Sequence, residues 1–180
     1  MLKPIEGSWF EFQHPNEPEA KYYNPEMARF TADQWRHKVR EASQIGMEYL
    51  VLMAVSVYFK AFYDTALAPK FGIECDDPLE AVLDEADKCG VKFFISNDWF
   101  DDAHDFGRDI LATPAVAARM QAMEELAARY GHHPSFYGWY WPNEAYLKHH
   151  FKADFIQYTN MNSRKAHELL PRTKTLIAPY

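Results

Sequence analysis

The sequence predicts an α/β fold with parallel strands. Five short apolar runs begin near Ile5, Tyr49, Val91, Phe136 and Thr175, about forty residues apart. Between successive runs lies a segment with apolar residues at helical spacing and its own start and stop signals. The runs are near-continuous in apolar residues rather than alternating, as in strands covered on both faces. A strand–helix repeat of this kind places helices between parallel strands. The 180 residues are read as a single α/β domain over 1–180. Two architectures fit five strands and four helices. One is an open, doubly wound, flavodoxin-like sheet. The other is the first half of a (β/α)8 TIM barrel, which at this period would need about 320 residues.

The first strand is read over Ile5–Phe12, with Trp9, Phe10 and Phe12 near its end. The turn after Phe12 has no glycine, whereas a flavodoxin-type site would want a phosphate-binding loop there. Glu11, His14 and Glu17 fall on the same rim and are read as solvated or structural. Thr31-Ala32-Asp33-Gln34 forms a capping box, and the helix it opens carries Trp35, Val39, Ala42 and Ile45 at helical spacing and stops at Gly46. Tyr49 to Val55 is the second strand, followed by a long loop from Ser56 to Asp76 that holds Tyr58, Phe59, Phe62 and Tyr63. Asp77 caps the second helix, Pro78 occupies its first position, and Gly90 ends it. Val91 to Ile95 is the third strand, with Asn97, Asp98 and Trp99 at its carboxyl end; Asp98 is read as a loop cap. The acidic loop from Asp101 to Ala112 lacks the spacing of a calcium loop. Thr113-Pro114 opens the third helix, whose buried stripe is predicted as Val116, Met120, Met123, Ala127 and Tyr130. Ala153 to Leu170 is the fourth helix, and Thr175 to Ala178 the fifth strand.

The fourth strand carries the chemistry. Phe136 to Trp141 is aromatic apart from Gly138, a composition suited to a packed, pleated surface. Pro142 cannot donate to a ladder, so the strand ends there and Asn143 and Glu144 stand just beyond it. In an α/β barrel that is the rim where reacting groups are found. A carboxylate beside aromatic rings is poorly hydrated, which raises its pKa and suits it to give a proton near neutral pH. The plainer alternative for Glu144 is a charge stabilised by a helix N-terminus.

The run from Gly131 through His132, His133, Phe136, Trp139 and Trp141 to Asn143-Glu144 resembles the fourth-strand motif of clan A glycoside hydrolases. The whole chain more closely resembles a bacterial barrel family, domain of unknown function 4434, thought to be glycosidase-like. Gly7-Ser8-Trp9-Phe10, the run Gly46 to Leu52, Asp77-Pro78 and the final Leu176 to Tyr180 also match. The resemblance implies a half barrel, with retaining glycoside hydrolysis in the full-length parent. It implies Glu144 as acid/base and Asn143 bonded to the sugar 2-hydroxyl, with Trp99, Trp141, Tyr180 and Asn97 around the sugar. The nucleophile would come from strand seven, which this sequence lacks, so a truncated and inactive chain is expected. Two alternatives stay open. One is a non-catalytic carbohydrate-binding barrel, with the aromatic rim but no second carboxylate near Glu144. The other is an open-sheet ligand-binding domain, with strands out of sequential order.

Composition narrows the partners. Nineteen basic against 26 acidic residues leave a charge of −7, which argues against nucleic acid and anionic membranes. Aromatic residues make up 16 %, enough for a large aromatic core or a sugar platform. A carbohydrate is the expected partner, and open strand edges are expected to promote self-association. No cofactor is required. His132-His133 and His149-His150 lack the His-x-x-x-His spacing of a helical metal site, so no metal is expected. Cys75 and Cys89 imply no disulfide framework. No apolar run approaches a membrane span and no signal peptide precedes the first strand, as in a cytoplasmic protein or a recloned mature secreted domain.

Overall fold

The computed structural model of the chain describes residues 5–13, 25–100, 109–143 and 149–179. Strand β1, Gly7–Phe10, leads through a 3-10 turn to helix α1, Ala32–Gln44. The predicted capping box forms: Gln34 N donates to Thr31 Oγ1 at 3.3 Å, and Thr31 N donates to Gln34 Oε1 at 2.9 Å. Strand β2, Tyr49–Leu52, is followed by helix α2, Pro78–Cys89. Asp77 Oδ1 accepts from Glu80 N at 3.0 Å at the start of α2, and Gly90, at φ +75°, ends it in the left-handed conformation that glycine adopts without strain.

The interval between β2 and α2 corrects the sequence reading. It is not a plain loop but holds a two-stranded hairpin, β3, Ser56–Val57, and β4, Lys60–Ala61. Tyr58 and Phe59 turn the corner at φ +50° and +59°, the paired positive angles that two-residue hairpin turns require. Aromatic residues stand where Asn-Gly would have signalled the turn, so the pattern gave no warning. Phe62, just past β4, stacks on Phe71 at 4.9 Å and reaches Phe12 at 5.4 Å.

Strand β5, Lys92–Ser96, helix α3, Thr113–Tyr130, strand β6, Phe136–Trp141, helix α4, Ala153–Leu169, and strand β7, Lys174–Ile177, complete the chain. The main sheet runs in the order β1-β2-β5-β6-β7, all parallel, so every strand lies beside its successor in the repeat. This is the order of a partial (β/α) barrel; the flavodoxin-like alternative, with its first strand inside the order, does not form. The predicted stripe of α3 forms in part: Met123 and Tyr130 are buried and Val116, Met120 and Ala127 half-buried, while Arg119, Ala122 and Leu126 join the buried side. Arg119 was passed over because an apolar pattern skips a charged residue whose partner is buried with it. Among the described residues no helix is long and apolar enough to cross a membrane.

One irregularity decides which way the aromatic strand faces. Phe93 pairs with Phe136 but Phe94 pairs with Gly138, so Tyr137 is an extra residue and the register shifts. The shift puts Phe136 and Trp139, three residues apart, on the same helix-covered side, with rings 4.8 Å apart and no exposed surface. On the other face, Tyr137 meets Phe94 and Tyr49 edge-on at 5.4 and 5.7 Å, Tyr49 and Phe94 lie tilted at 6.4 Å, and Lys92 Nζ lies 4.9 Å from the Tyr49 ring. On that face Trp9 of β1 reaches Tyr140 of β6 at 5.2 Å across two intervening strands. Their strands would stand about 14 Å apart in a flat sheet, so the approach fits a sheet curled concave toward this face.

Gly138 is the residue the curl cannot replace. A Cβ there would lie 2.5 Å from Phe94 Cε1 and 2.8 Å from the Lys174 carbonyl oxygen. The ring is wedged and the carbonyl belongs to the adjoining strand, so neither yields freely. Gly138→Ala is expected to cost about 1–3 kcal/mol in urea unfolding, as overpacked cores do. A loss below about 0.5 kcal/mol, the range of an ordinary surface change, would mean that Phe94 swings aside and the close approach is not a constraint.

Candidate functional site

The carboxyl ends of β5 and β6 are joined to α3 and α4 by a buried polar network. Asp98, two residues past β5, is 4 % exposed. Its Oδ1 accepts from Trp99 N at 2.8 Å, the loop-cap role expected of it. Its Oδ2 lies 3.3 Å from Arg119 Nε of α3, in an ion pair whose two side chains are 6 % and 1 % exposed. Arg119 also donates to the Ala115 and Ile110 carbonyls, and its guanidinium carbon sits 4.7 Å from the Tyr158 ring centroid. Ser56 of the hairpin closes the network from the β2 side, its Oγ donating to the Asp98 carbonyl at 2.9 Å.

Asn143 is held by the same network. Its Nδ2 donates to Asp98 Oδ2 at 2.6 Å and to Tyr158 Oη of α4 at 2.8 Å. A carboxylate only accepts, so the nitrogen end of the amide must face it, and both Nδ2 hydrogens are engaged. Asn143 is thereby fixed against a buried charge, one residue before Glu144.

The expected site residues separate. Glu144 and Tyr180 lie outside the described residues, as do His14 and Glu17. Asn143 and Trp99 stand on the carboxyl rim, as expected, and Trp99 is partly exposed at φ +74°, a strained angle for a non-glycine residue. Trp141 corrects the expected platform. The β6 bulge turns it to the helix side with Trp139, its ring stacks there at 6.4 Å, and it has no exposed surface to offer a sugar. Asn97 is corrected in the same way. It shares the helix-covered face with Phe93 and Ile95, is fully buried, and donates to Asn162 Oδ1 at 3.3 Å and Met123 Sδ at 3.4 Å. Sequence reasoning missed Arg119 and Tyr158, because a cation and a phenol on separate helices give no local signal.

A second cluster lies at the opposite end of β6, where Glu80, His132 and His133 bring one ligand atom each within 4.8 Å of one another. The spacing test had set the two histidines aside; the carboxylate from α2 was invisible to it.

With this geometry established, comparisons place the chain. It belongs to the DUF4434 family, a domain of unknown function whose model matches residues 5–180. No curated protein matches the sequence. Solved structures that resemble it are glycoside hydrolases by name. A putative alpha-L-fucosidase from Bacteroides thetaiotaomicron VPI-5482 superposes with a TM-score of 0.73 at 16 % identity, covering 97 % of this chain and 51 % of that one. The endo-beta-1,4-mannanase from Thermotoga petrophila gives 0.62 at 12 % identity, covering 95 % and 41 %. GH5_18 from Streptomyces cattleya, in complex with GlcNAc, gives 0.57 at 16 % identity, covering 84 % and 40 %. At these identities the likeness is one of fold: a glycosidase-like α/β sheet. The chain spans about half the length of the first of these structures and two-fifths of the other two.

Two expectations follow from the network. Removing one member of a buried ion pair strands the other, so Asp98→Ala should cost about 3–5 kcal/mol, and the double change Asp98→Asn with Arg119→Met should recover much of it. Additive losses in denaturant unfolding would show that the pair is not coupled. The second concerns alkali. Burial above all, and then a nearby carboxylate in each case, pushes the phenols of Tyr63, Tyr130 and Tyr158 far above their usual value. The folded chain keeps these protons when the unfolded chain releases them near pH 10. Stability should therefore be intact below about pH 10 and fall above it, by up to about 1.4 kcal/mol per pH unit for each tyrosine. Phenolate absorbance should arrive for these three only with loss of the near-ultraviolet dichroism. Full titration of all eleven tyrosines of the sequence in the folded state would contradict this.

Proposed function

We propose that the chain is part of a retaining glycoside hydrolase barrel in which Glu144 is the acid/base. The observation that carries the reading is the anchoring of Asn143 at the carboxyl end of the fourth parallel strand, between Asp98 and Tyr158. The position and the residue pair match the clan A pattern, and the fold is that of the fucosidase and mannanase structures. In this reading Glu144 protonates the leaving-group oxygen and then, as carboxylate, takes a proton from the attacking water. Asn143, held by Asp98 and Tyr158, stands where it can hydrogen-bond the sugar 2-hydroxyl. A rigidly held partner whose bond tightens as charge develops at the neighbouring carbon favours the transition state over the ground state. Trp99 supplies an aromatic surface, with Tyr180 as a second candidate.

The second carboxylate belongs to a part of the barrel beyond these five strands, about 5–5.5 Å from Glu144, because in retaining enzymes it bonds the anomeric carbon itself. The test is made in a protein carrying the whole barrel. Glu144→Gln keeps the shape and removes the proton donor, so turnover of glycosides with poor leaving groups should fall about 10²–10⁴-fold. Aryl glycosides with acidic phenols leave without help, so their first step should fall far less. Equal losses for both substrate types would assign Glu144 a structural role. Saturable sugar binding without turnover in the unmodified whole barrel would make it a carbohydrate-binding barrel instead.

A further inference from the structure

The turn that feeds β6 is built with unusual rigidity for a place remote from the carboxyl rim. Arg172 donates to three of its carbonyls, those of Gly131, His133 and Phe136, at 2.7 to 2.9 Å. From α2, Asp87 Oδ1 accepts from Ser135 N at 2.8 Å, and the Leu83 carbonyl accepts from Ser135 Oγ at 3.0 Å. The turn is thus fixed on two sides, and it presents His132 and His133 with rings 4.1 Å apart.

His133 is 5 % exposed and lies between two carboxylates of one helix face, since Glu80 and Asp87 are seven residues apart on α2. Its Nδ1 is 2.7 Å from Asp87 Oδ2 and its Nε2 is 3.2 Å from Glu80 Oε2. These two contacts differ in kind. The first is the bond that fixes the ring: Nδ1–H donates to Asp87, so that Nε2, which can donate to Glu80 in the metal-free chain, turns its lone pair toward the same place when an ion displaces its proton. That carboxylate–histidine arrangement is the one that orients metal-bound imidazoles. The second distance is a ligand-to-ligand distance. With bonds of about 2.0–2.1 Å to nitrogen and oxygen, two corners of a tetrahedral zinc site stand about 3.3 Å apart. His132 completes three donors, all within 4.8 Å of one another, and being exposed it can close the remaining gap of up to about 1.5 Å by side-chain rotation.

We propose that Glu80, His132 and His133 form a binding site for a borderline transition-metal ion, Zn²⁺ in the first instance, with Asp87 as the outer partner of His133 and solvent in the fourth position. Two imidazoles and one carboxylate are a donor set for zinc-like ions, whereas Ca²⁺ and Mg²⁺ take oxygen ligands. The ion would join the first turn of α2 to the turn between α3 and β6. It lies at the amino ends of the strands, the end that serves stability in barrels, so its role is to staple two βα units rather than to react with substrate. The site is independent of the glycosidase reading.

The experiment uses the full chain, freed of any histidine tag and treated with chelator, titrated with Zn²⁺ alone by calorimetry. One ion per chain is expected, with a dissociation constant of about a micromolar or below, a raised melting temperature, and visible absorption typical of tetrahedral coordination when Co²⁺ replaces Zn²⁺. His132→Ala and Glu80→Gln change exposed or half-buried side chains, so both should fold normally by circular dichroism and each weaken binding at least about tenfold; Asp87→Asn should weaken it by about 10–100-fold. Binding weaker than millimolar, or binding left unchanged by both His132→Ala and Glu80→Gln, would overturn the site, the latter by placing the ion elsewhere. Failure here would leave a Glu144 kinetic test untouched.

Discussion

The extra residue in β6 is the constraint from which most of this structure follows. A parallel strand of six residues, five of them aromatic, cannot place large rings on both faces of a curled sheet without relief, because the concave face has less room per residue than the convex one. The register shift at Phe93/Phe94 and the missing side chain at Gly138 supply that relief. Three rings of the strand, Phe136, Trp139 and Trp141, then go beneath the helices, and the concave face receives Tyr137 and Tyr140. Sheet curvature, core composition and the identity of the residues left at the rim are consequences of one local irregularity.

The polar network at the rim depends on the same step. With Trp141 turned to the helix side and Pro142 closing the strand, Asn143 emerges beside Asp98, and its amide links the β6–α4 unit to a buried ion pair that lies within the β5–α3 unit. Such a pair is a poor source of net stability, since its desolvation offsets most of its attraction. What it provides is position. Asp98 is fixed by Trp99 N, Ser56 and Arg119 at once, and Asn143 inherits that precision. An amide whose two hydrogens are both given to fixed acceptors is held in one orientation. The left-handed Trp99 beside Asp98 fits this picture, since strained backbone persists where its surroundings over-determine it.

What the sequence disclosed and what it hid divide along a physical line. Caps, stops and the strand–helix period are local signals, and Thr31 with Gln34, Asp77 with Pro78, and Gly90 each did in the structure what their chemistry required. Sequential strand order follows from short right-handed crossovers and was legible for the same reason. The facing of Trp141 and Asn97 was not legible, because strand parity depends on a bulge that only the neighbouring strand reveals. Arg119 was hidden because a buried cation sits within an apolar stripe only when a buried carboxylate distant in sequence, here Asp98 past the end of β5, awaits it. The hairpin at Tyr58-Phe59 was hidden because its turn uses residues that ordinarily avoid positive φ. Glu144 and Tyr180 lie outside the described residues, so their part of the reading stands on the rim that Asn143 marks.

The two ends of β6 show how one strand serves two demands. At its amino end Arg172, Asp87 and Ser135 fix the turn through backbone groups, so the strand enters the sheet at a set height and angle. At its carboxyl end the side chains of Asp98 and Tyr158 hold the Asn143 amide. Rigid entry with side-chain anchoring at the exit separates two kinds of constraint on the strand. Substitutions at the entry act on stability through hydrogen bonds to backbone groups, whereas substitutions at the exit alter the direction of one amide. This separation lets barrels change their reactions by loop replacement while keeping their cores. It also explains why a polar cluster such as Glu80, His132 and His133 is tolerated at the entry: a second fixed point there adds order to a turn already committed to being rigid.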